Sequence, residues 1–172
     1  MNDLKLVFNR QKEFFNLRKT NDINFRINNL KKLKQVIKEN EDKVLDALKK
    51  DLGKSNFESY ATEVGLIYDE INTHIKNIKK WSKIEKSKSP IVYYPAKSYI
   101  YKEPYGVTLI IGPFNYPFQL VIAPLIGAIS AGNTAIIKPS ENAKNTSILL
   151  EEIINENFQE GYLRVVSPLE GK

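Results

Sequence analysis

The chain has 172 residues, a formal net charge of +6, 42% hydrophobic residues and no cysteine. That length and apolar content allow one domain with a sizeable core, while the missing cysteines exclude a disulfide framework, a thiolate metal site and a cysteine nucleophile within these residues. The longest apolar run, around Phe118 to Ala131, is interrupted by Gln119, Pro124 and Gly127 and is too short to cross a bilayer, and no basic-then-apolar leader opens the sequence, so a cytoplasmic chain without a transmembrane segment is expected.

Taken in order, positions 3–19 read as a first helix with Leu4, Val7, Phe8, Phe14, Phe15 and Leu17 on its apolar side. Asn21 or Asp22 can cap a second, which turns Ile27, Leu30, Leu33, Val36 and Ile37 inward and Lys31, Lys32, Lys34 and Lys38 outward. A third runs from about Glu41 to Leu52 and stops at Gly53; a fourth starts at Ser55 or Asn56 and carries Val64, Ile67, Ile71, Ile75, Ile78 and Trp81 at spacings of three and four. The first ninety residues hold 20 basic against 13 acidic side chains and the rest 6 against 7, so the positive excess lies wholly in these helices. The lysines alternate there with Glu39, Glu41, Asp42 and Asp46 and no aromatic ladder accompanies them, which favours a solvated face over a nucleic-acid surface. His74, the single histidine, is read as a packing or surface residue without a partner at metal spacing, and no metal site is expected.

Ser87 to Pro95 is the one boundary, and Ile91–Tyr94 and Lys97–Tyr101 read as two extended segments about Pro95-Ala96. Val107 to Ile111 is a short β-branched run, expected to be a strand buried on both faces, and it stops at Gly112-Pro113. Pro117 suits the first turn of a helix that runs to Gly132 with apolar residues on nearly every side and a kink or break at Pro124. Gly132-Asn133 is a C-cap, Thr134 to Lys138 a second buried strand stopped by Pro139, and Ser140 and Glu141 can cap a further helix whose inward face is Thr146, Ile148, Leu149, Leu150, Ile153 and Ile154. Leu163 to Val166 is a third strand. In a parallel strand–helix–strand unit, ligands bind beyond the carboxyl ends of the strands, which singles out Asn115, Lys138 and Glu141. No Gly-x-Gly-x-x-Gly fingerprint accompanies them. On residue type alone Asn115 is a turn residue and Lys138 and Glu141 are solvated strand-end residues.

Glu103-Pro104-Tyr105-Gly106-Val107, Ile111-Gly112-Pro113-Phe114-Asn115-Tyr116-Pro117-Phe118, Pro124-Leu125-Ile126-Gly127-Ala128, Ala131-Gly132-Asn133 and Lys138-Pro139-Ser140-Glu141 occur in the order and spacing of the aldehyde dehydrogenase superfamily, and the chain resembles the amino-terminal third of its class-three-like, fatty-aldehyde branch. The resemblance implies that Asn115 is the side-chain amide that donates to the oxyanion, that Lys138 and Glu141 contact the adenosine ribose of the cofactor, and that Ile111, Gly112, Pro113 and Phe114 lie near the nicotinamide. It implies oxidation of an aldehyde to a carboxylic acid with NAD or NADP. The family's cysteine nucleophile, glutamate base and glycine-rich pyrophosphate segment find no counterpart in these residues, so the chain alone is expected to be inactive and its cofactor site incomplete. Ser167 to Lys172 departs from the family, and the tyrosines near Pro95 correspond to a family region that bridges subunits.

The expected architecture is therefore α/β. A helical part at 1–88 and an extended arm at 89–105 precede a partial Rossmann-like, dinucleotide-binding parallel sheet at 106–172. A homo-oligomer or a missing carboxyl-terminal part would complete it, since three strands leave an apolar edge unpaired. The alternative function is a non-catalytic, truncated relative that acts through protein association.

Overall fold

Apolar residues at helical spacing commit the first half of the chain to helices. In the computed structural model, which describes residues 2–166, these are α1 (Asn2–Asn16), α2 (Ile23–Glu39), α3 (Glu41–Leu52), and a long helical rod made of α4 (Asn56–Ser59), a π-turn (Tyr60–Val64) and α5 (Gly65–Trp81). Asp22 caps α2 by accepting from the Asn24 N–H at 2.9 Å, and Ser55 caps α4 by accepting from the Glu58 N–H at 3.2 Å. Leu30, Leu33, Val36 and Ile37 of α2, Val44 and Leu48 of α3, and Val64, Ile67, Ile71 and Ile78 of the rod are buried together.

Two faces of the helical part differ from expectation. Helix α1 buries Val7, Gln11 and Phe14, whereas Leu4, Phe8 and Leu17 are exposed. The face is fixed by the sheet: Gln11 donates through Nε2 to the Ala135 carbonyl at 2.7 Å, a polar anchor that a count of apolar residues passes over. Trp81 lies off the buried stripe of α5, 41% exposed, and meets the His74 ring edge-on at 4.9 Å.

The linking arm also differs. Ile91–Tyr93 is a 3-10 turn rather than an extended segment, and β2 (Ser98–Ile100) pairs backwards with β1 (Glu85–Ser87) in an antiparallel ribbon, Lys86 opposite Tyr99. The register therefore joins the end of the helical part to the second tyrosine-rich segment, not the two tyrosine-rich segments to each other.

Beyond the arm, β3 (Val107–Ile111), β4 (Thr134–Lys138) and β5 (Leu163–Val165) form a parallel sheet in that order, with α6 (Gln119–Ala131) and α7 (Lys144–Asn157) as its crossovers. Ile110, Ile137 and Val165 share one face by register and join the main core. On the other face Ile136 is buried, but Leu109 and Ile111 are 63% and 65% exposed. β3 is thus an edge strand covered on one side only, not a strand buried on both; β4, flanked by two strands, is the one that is buried throughout except at Lys138.

Helix α6 starts two residues after Pro117, whose turn is closed by the Leu120 N–H bonding the Tyr116 carbonyl at 3.0 Å. Pro124 sits on its exposed side and the helix continues through it to Ala131. The helix ends at Gly132, φ 87°, where a Cβ would lie 2.7 Å from the Arg26 guanidinium. Arg26 reaches from α2 to donate to the Ser130 carbonyl at 3.3 Å and to Thr20. Burial pulls its pKa down. Ile148 of α7 is 48% exposed against expectation, because the helix turns Thr146, Leu149, Leu150, Ile153 and Ile154 to α3 and β5 instead. Phe14, Phe25 and Tyr162 stack between α1, α2 and the approach to β5, and burial raises the Tyr162 phenol well above its ordinary range.

Candidate functional site

The carboxyl ends of β3 and β4 lie side by side. Ile111 pairs with Lys138, and the Gly112 N–H donates to the Lys138 carbonyl at 2.9 Å, extending the ladder by one bond into the loop. Gly112 is buried beneath α6: a Cβ there would fall 2.2 Å from Val121 Cγ2, so only glycine lets the strand end lie this close to the helix. After it, Pro113, Phe114 and Asn115 are exposed, as are Lys138 at the end of β4 and Glu141 in the loop that follows. The fold thus brings Ile111, Gly112 and Lys138 into contact and sets Asn115 and Glu141 on the two adjacent loops above them.

Ser140 shapes its own loop: its hydroxyl accepts from the Asn142 N–H at 3.3 Å and its carbonyl accepts from the Ser147 hydroxyl at 2.6 Å. Neither Ser140 nor Glu141 caps α7. Asp51, at the end of α3, does: one carboxylate oxygen accepts from the Asn145 N–H at 3.0 Å and the other from the Thr146 N–H at 2.7 Å, with both side chains adding bonds. Burial works to raise the Asp51 pKa, but these four bonds outweigh it and hold the carboxyl below its ordinary value.

Glu63 does for α6 what Asp51 does for α7. It lies in the π-turn, is fully buried, and accepts through Oε2 from the Phe118 and Gln119 N–H groups at 3.0 and 3.1 Å. Its Oε1 takes Lys54 Nζ at 2.6 Å, and that ammonium stands 4.1 Å from the centre of the Tyr116 ring. Sequence reasoning missed both acids. The signal for Glu63 was present, since it sits four residues before Ile67 on the stripe that Ile67 and Ile71 bury.

Elsewhere, His74 has an acidic neighbour after all: its Nε2 lies 3.1 Å from Glu70 Oε1, one helical turn away. Tyr68 donates to Glu41 at 2.6 Å, and burial together with that carboxylate raises the phenol's pKa far above normal. A cleft of about 270 Å³ is lined by Arg26, His74, Trp81, Ser130 and Lys102, none of them a residue of the two strand-end loops. No helix among the described residues is long and apolar enough to cross a membrane.

Helices docked on a three-stranded parallel sheet, with polar loops at its carboxyl edge, define an α/β protein with a partial Rossmann-like sheet. The chain belongs to the aldehyde dehydrogenase family, whose model matches residues 3–171 and so runs into the tail set apart in the sequence, which lies outside the described residues. It is 51% identical over 166 residues to the 4,4'-diaponeurosporen-aldehyde dehydrogenase of Staphylococcus aureus, covering 96% of this chain and 36% of that protein. It is 38% identical over 167 residues to the dimeric NADP-preferring aldehyde dehydrogenase of Canis lupus familiaris, covering 97% of this chain and 37% of that one. The substrate-bound structure of Staphylococcus aureus AldH superposes with a TM-score of 0.94 at 50% identity, over 97% of this chain and 36% of the other. The glyceraldehyde-3-phosphate dehydrogenase GapN of Methanocaldococcus jannaschii, complexed with NADP, shares the fold at 23% identity and a TM-score of 0.82, covering 96% of this chain and 36% of its own. The chain spans about a third of the length of these relatives.

Proposed function

We propose that these residues form the amino-terminal part of an NAD(P)-dependent aldehyde dehydrogenase that oxidises aldehydes to carboxylic acids, with Asn115 as the oxyanion donor. The observation that carries this reading is that Asn115 is exposed in the loop four residues beyond Ile111, the carboxyl-terminal residue of β3, which pairs with Lys138 at the end of β4. A neutral amide there stabilises negative charge as it develops on a carbonyl oxygen and does not change protonation in doing so.

The residues present fit part of the cofactor. Exposed Lys138 and Glu141 offer a donor and an acceptor suited to ribose hydroxyls, and the Ile111–Phe114 backbone offers an edge for the nicotinamide. They do not fit the pyrophosphate in the way common to such sheets, because the amides at the starts of α6 and α7 are already taken by Glu63 and Asp51. When bound, the cofactor supplies the hydride acceptor; the chain's own groups hold its adenosine end and the carbonyl oxygen. These 172 residues contain no cysteine, so the nucleophile this reading requires is not among them.

Two assays test the reading. The 172-residue chain by itself should reduce no NAD or NADP in the presence of an aldehyde. Exchanged for the equivalent segment of the staphylococcal relative, it should give an active hybrid in which Asn115→Ala lowers kcat by about 10²–10³. A hybrid whose Asn115→Ala variant keeps its kcat within twofold would remove Asn115 from the mechanism. The second reading, a truncated relative that acts by association, is favoured by the uncovered Leu109 and Ile111 face. It predicts co-migration of the chain with a longer family member, and separate elution would count against it.

A further inference from the structure

We propose that Lys54 and Glu63 are positioning residues: a buried ion-paired clamp, supplied by the helical part, that holds the loop bearing Asn115 in one geometry. The role assigned to the loop rests on the reading of Asn115 given above; the clamp itself rests on separate observations.

Glu63 is 0% and Lys54 9% exposed. Burying two charges carries a large hydration cost, so such a pair is weak as a device for stability alone. Its contacts show where it acts. Three of the four residues that follow Asn115 are held: Tyr116 by the ammonium over its ring, and Phe118 and Gln119 by hydrogen bonds to the carboxylate. Before Asn115, Gly112 is held by the Lys138 carbonyl and pressed against Val121. Only Pro113, Phe114 and Asn115 lie between the two sets of anchors. An exposed loop so bracketed keeps its amide in place without burying it, as a preorganised donor requires.

The π-turn is part of the device. Its extra residue at Tyr60–Val64 shifts the phase of the rod, so that Glu63 faces the start of α6 on the same buried stripe as Ile67 and Ile71. The pairing with Lys54 has a second purpose. A bare carboxylate at this point would oppose the negative charge that Asn115 is to stabilise, and the ammonium 2.6 Å away cancels it.

The test is nuclear magnetic resonance on the 172-residue chain, where no turnover is needed. In the unaltered protein the Asn115 backbone should show ¹⁵N relaxation as rigid as that of α6, despite its exposure. In Lys54→Met, exchange of the Phe118 and Gln119 amides should accelerate about tenfold or more relative to amides of α2, and the Asn115 side-chain signals should shift or broaden. Lys54→Arg, which keeps the charge, should restore both. An Asn115 backbone clearly less rigid than that of α6 in the unaltered protein overturns the proposal. So does a folded Lys54→Met variant in which the Asn115 signals do not move. If Lys54→Met fails to fold, the relaxation of the unaltered protein and the Lys54→Arg spectrum decide. Loss of the catalytic reading would appear only in the hybrid-enzyme assay of Asn115→Ala, so the two failures are distinguishable.

Discussion

Asp51 is a helix cap supplied from another helix, and it illustrates how one carboxylate ties the helical part to the sheet. Asp51→Ala should lower stability by about 1–2 kcal/mol, the usual cost of losing a cap, in denaturant unfolding near neutral pH. Because the folded protein depresses the Asp51 pKa, this contribution is fully present above the ordinary aspartate range and is lost as pH falls through the folded value. An Asp51→Asn variant should therefore lose less stability than the unaltered protein between about pH 5 and pH 2, which unfolding curves across that range would check. Gly112 makes the complementary point about space. Gly112→Ala must displace Val121, which has 0% exposure, and should cost about 1–3 kcal/mol. Adding Val121→Ala should recover part of that loss, a non-additivity that a double-mutant cycle measures.

Among the elements, those whose apolar run and burial agree were legible in the sequence, and those in which a distant partner or a missing cover sets the exposure were not. β4 was readable from Thr134 to Lys138 because two flanking strands bury it, so its apolar run and its burial agree. β3 has an equally apolar run and the expected bounds, but exposure depends on what lies beside a strand, and nothing in Val107 to Ile111 says that one face lacks a cover. Helix α1 was misread for the same reason, since the partner of Gln11 is a carbonyl 124 residues away. At the candidate site, Asn115 and Glu141 were readable as loop residues and Lys138 as a strand-end residue. Glu63 was readable as a position on the buried stripe but not as a cap, because its partners lie 55 and 56 residues further on and because a π-turn has no plain signature in apolar spacing. Removing exposed Ala61 should convert that turn to ordinary helix and rotate Glu63 by about 100° relative to one flank. The expected result is a lower melting temperature together with lost protection at Phe118 and Gln119, read by hydrogen exchange.

Over the whole molecule, the uncovered surface is apolar where a soluble sheet would ordinarily be polar. Leu109 and Ile111 on β3, with Ile91, Val92 and Tyr94 on the arm, are more than half exposed. The 172-residue chain should therefore self-associate, with an average mass in sedimentation equilibrium that rises with concentration, and Leu109→Lys should reduce that rise. A strictly monomeric chain would show that the β3 face is tolerated in water.

Helix α6 is gripped at both ends by the helical part: the Glu63 carboxylate meets its first amides and the Arg26 guanidinium its last turn, each charge opposite in sign to the helix pole it touches. The covalent link through the Ile91–Tyr94 arm, which is wholly exposed, carries none of that grip. A protease that nicks the arm should consequently release nothing: the two pieces should elute together from a sizing column and part only in denaturant. The peptide that begins after the arm, expressed by itself, should by contrast fail to fold, since α6 would have lost the partners at both of its ends.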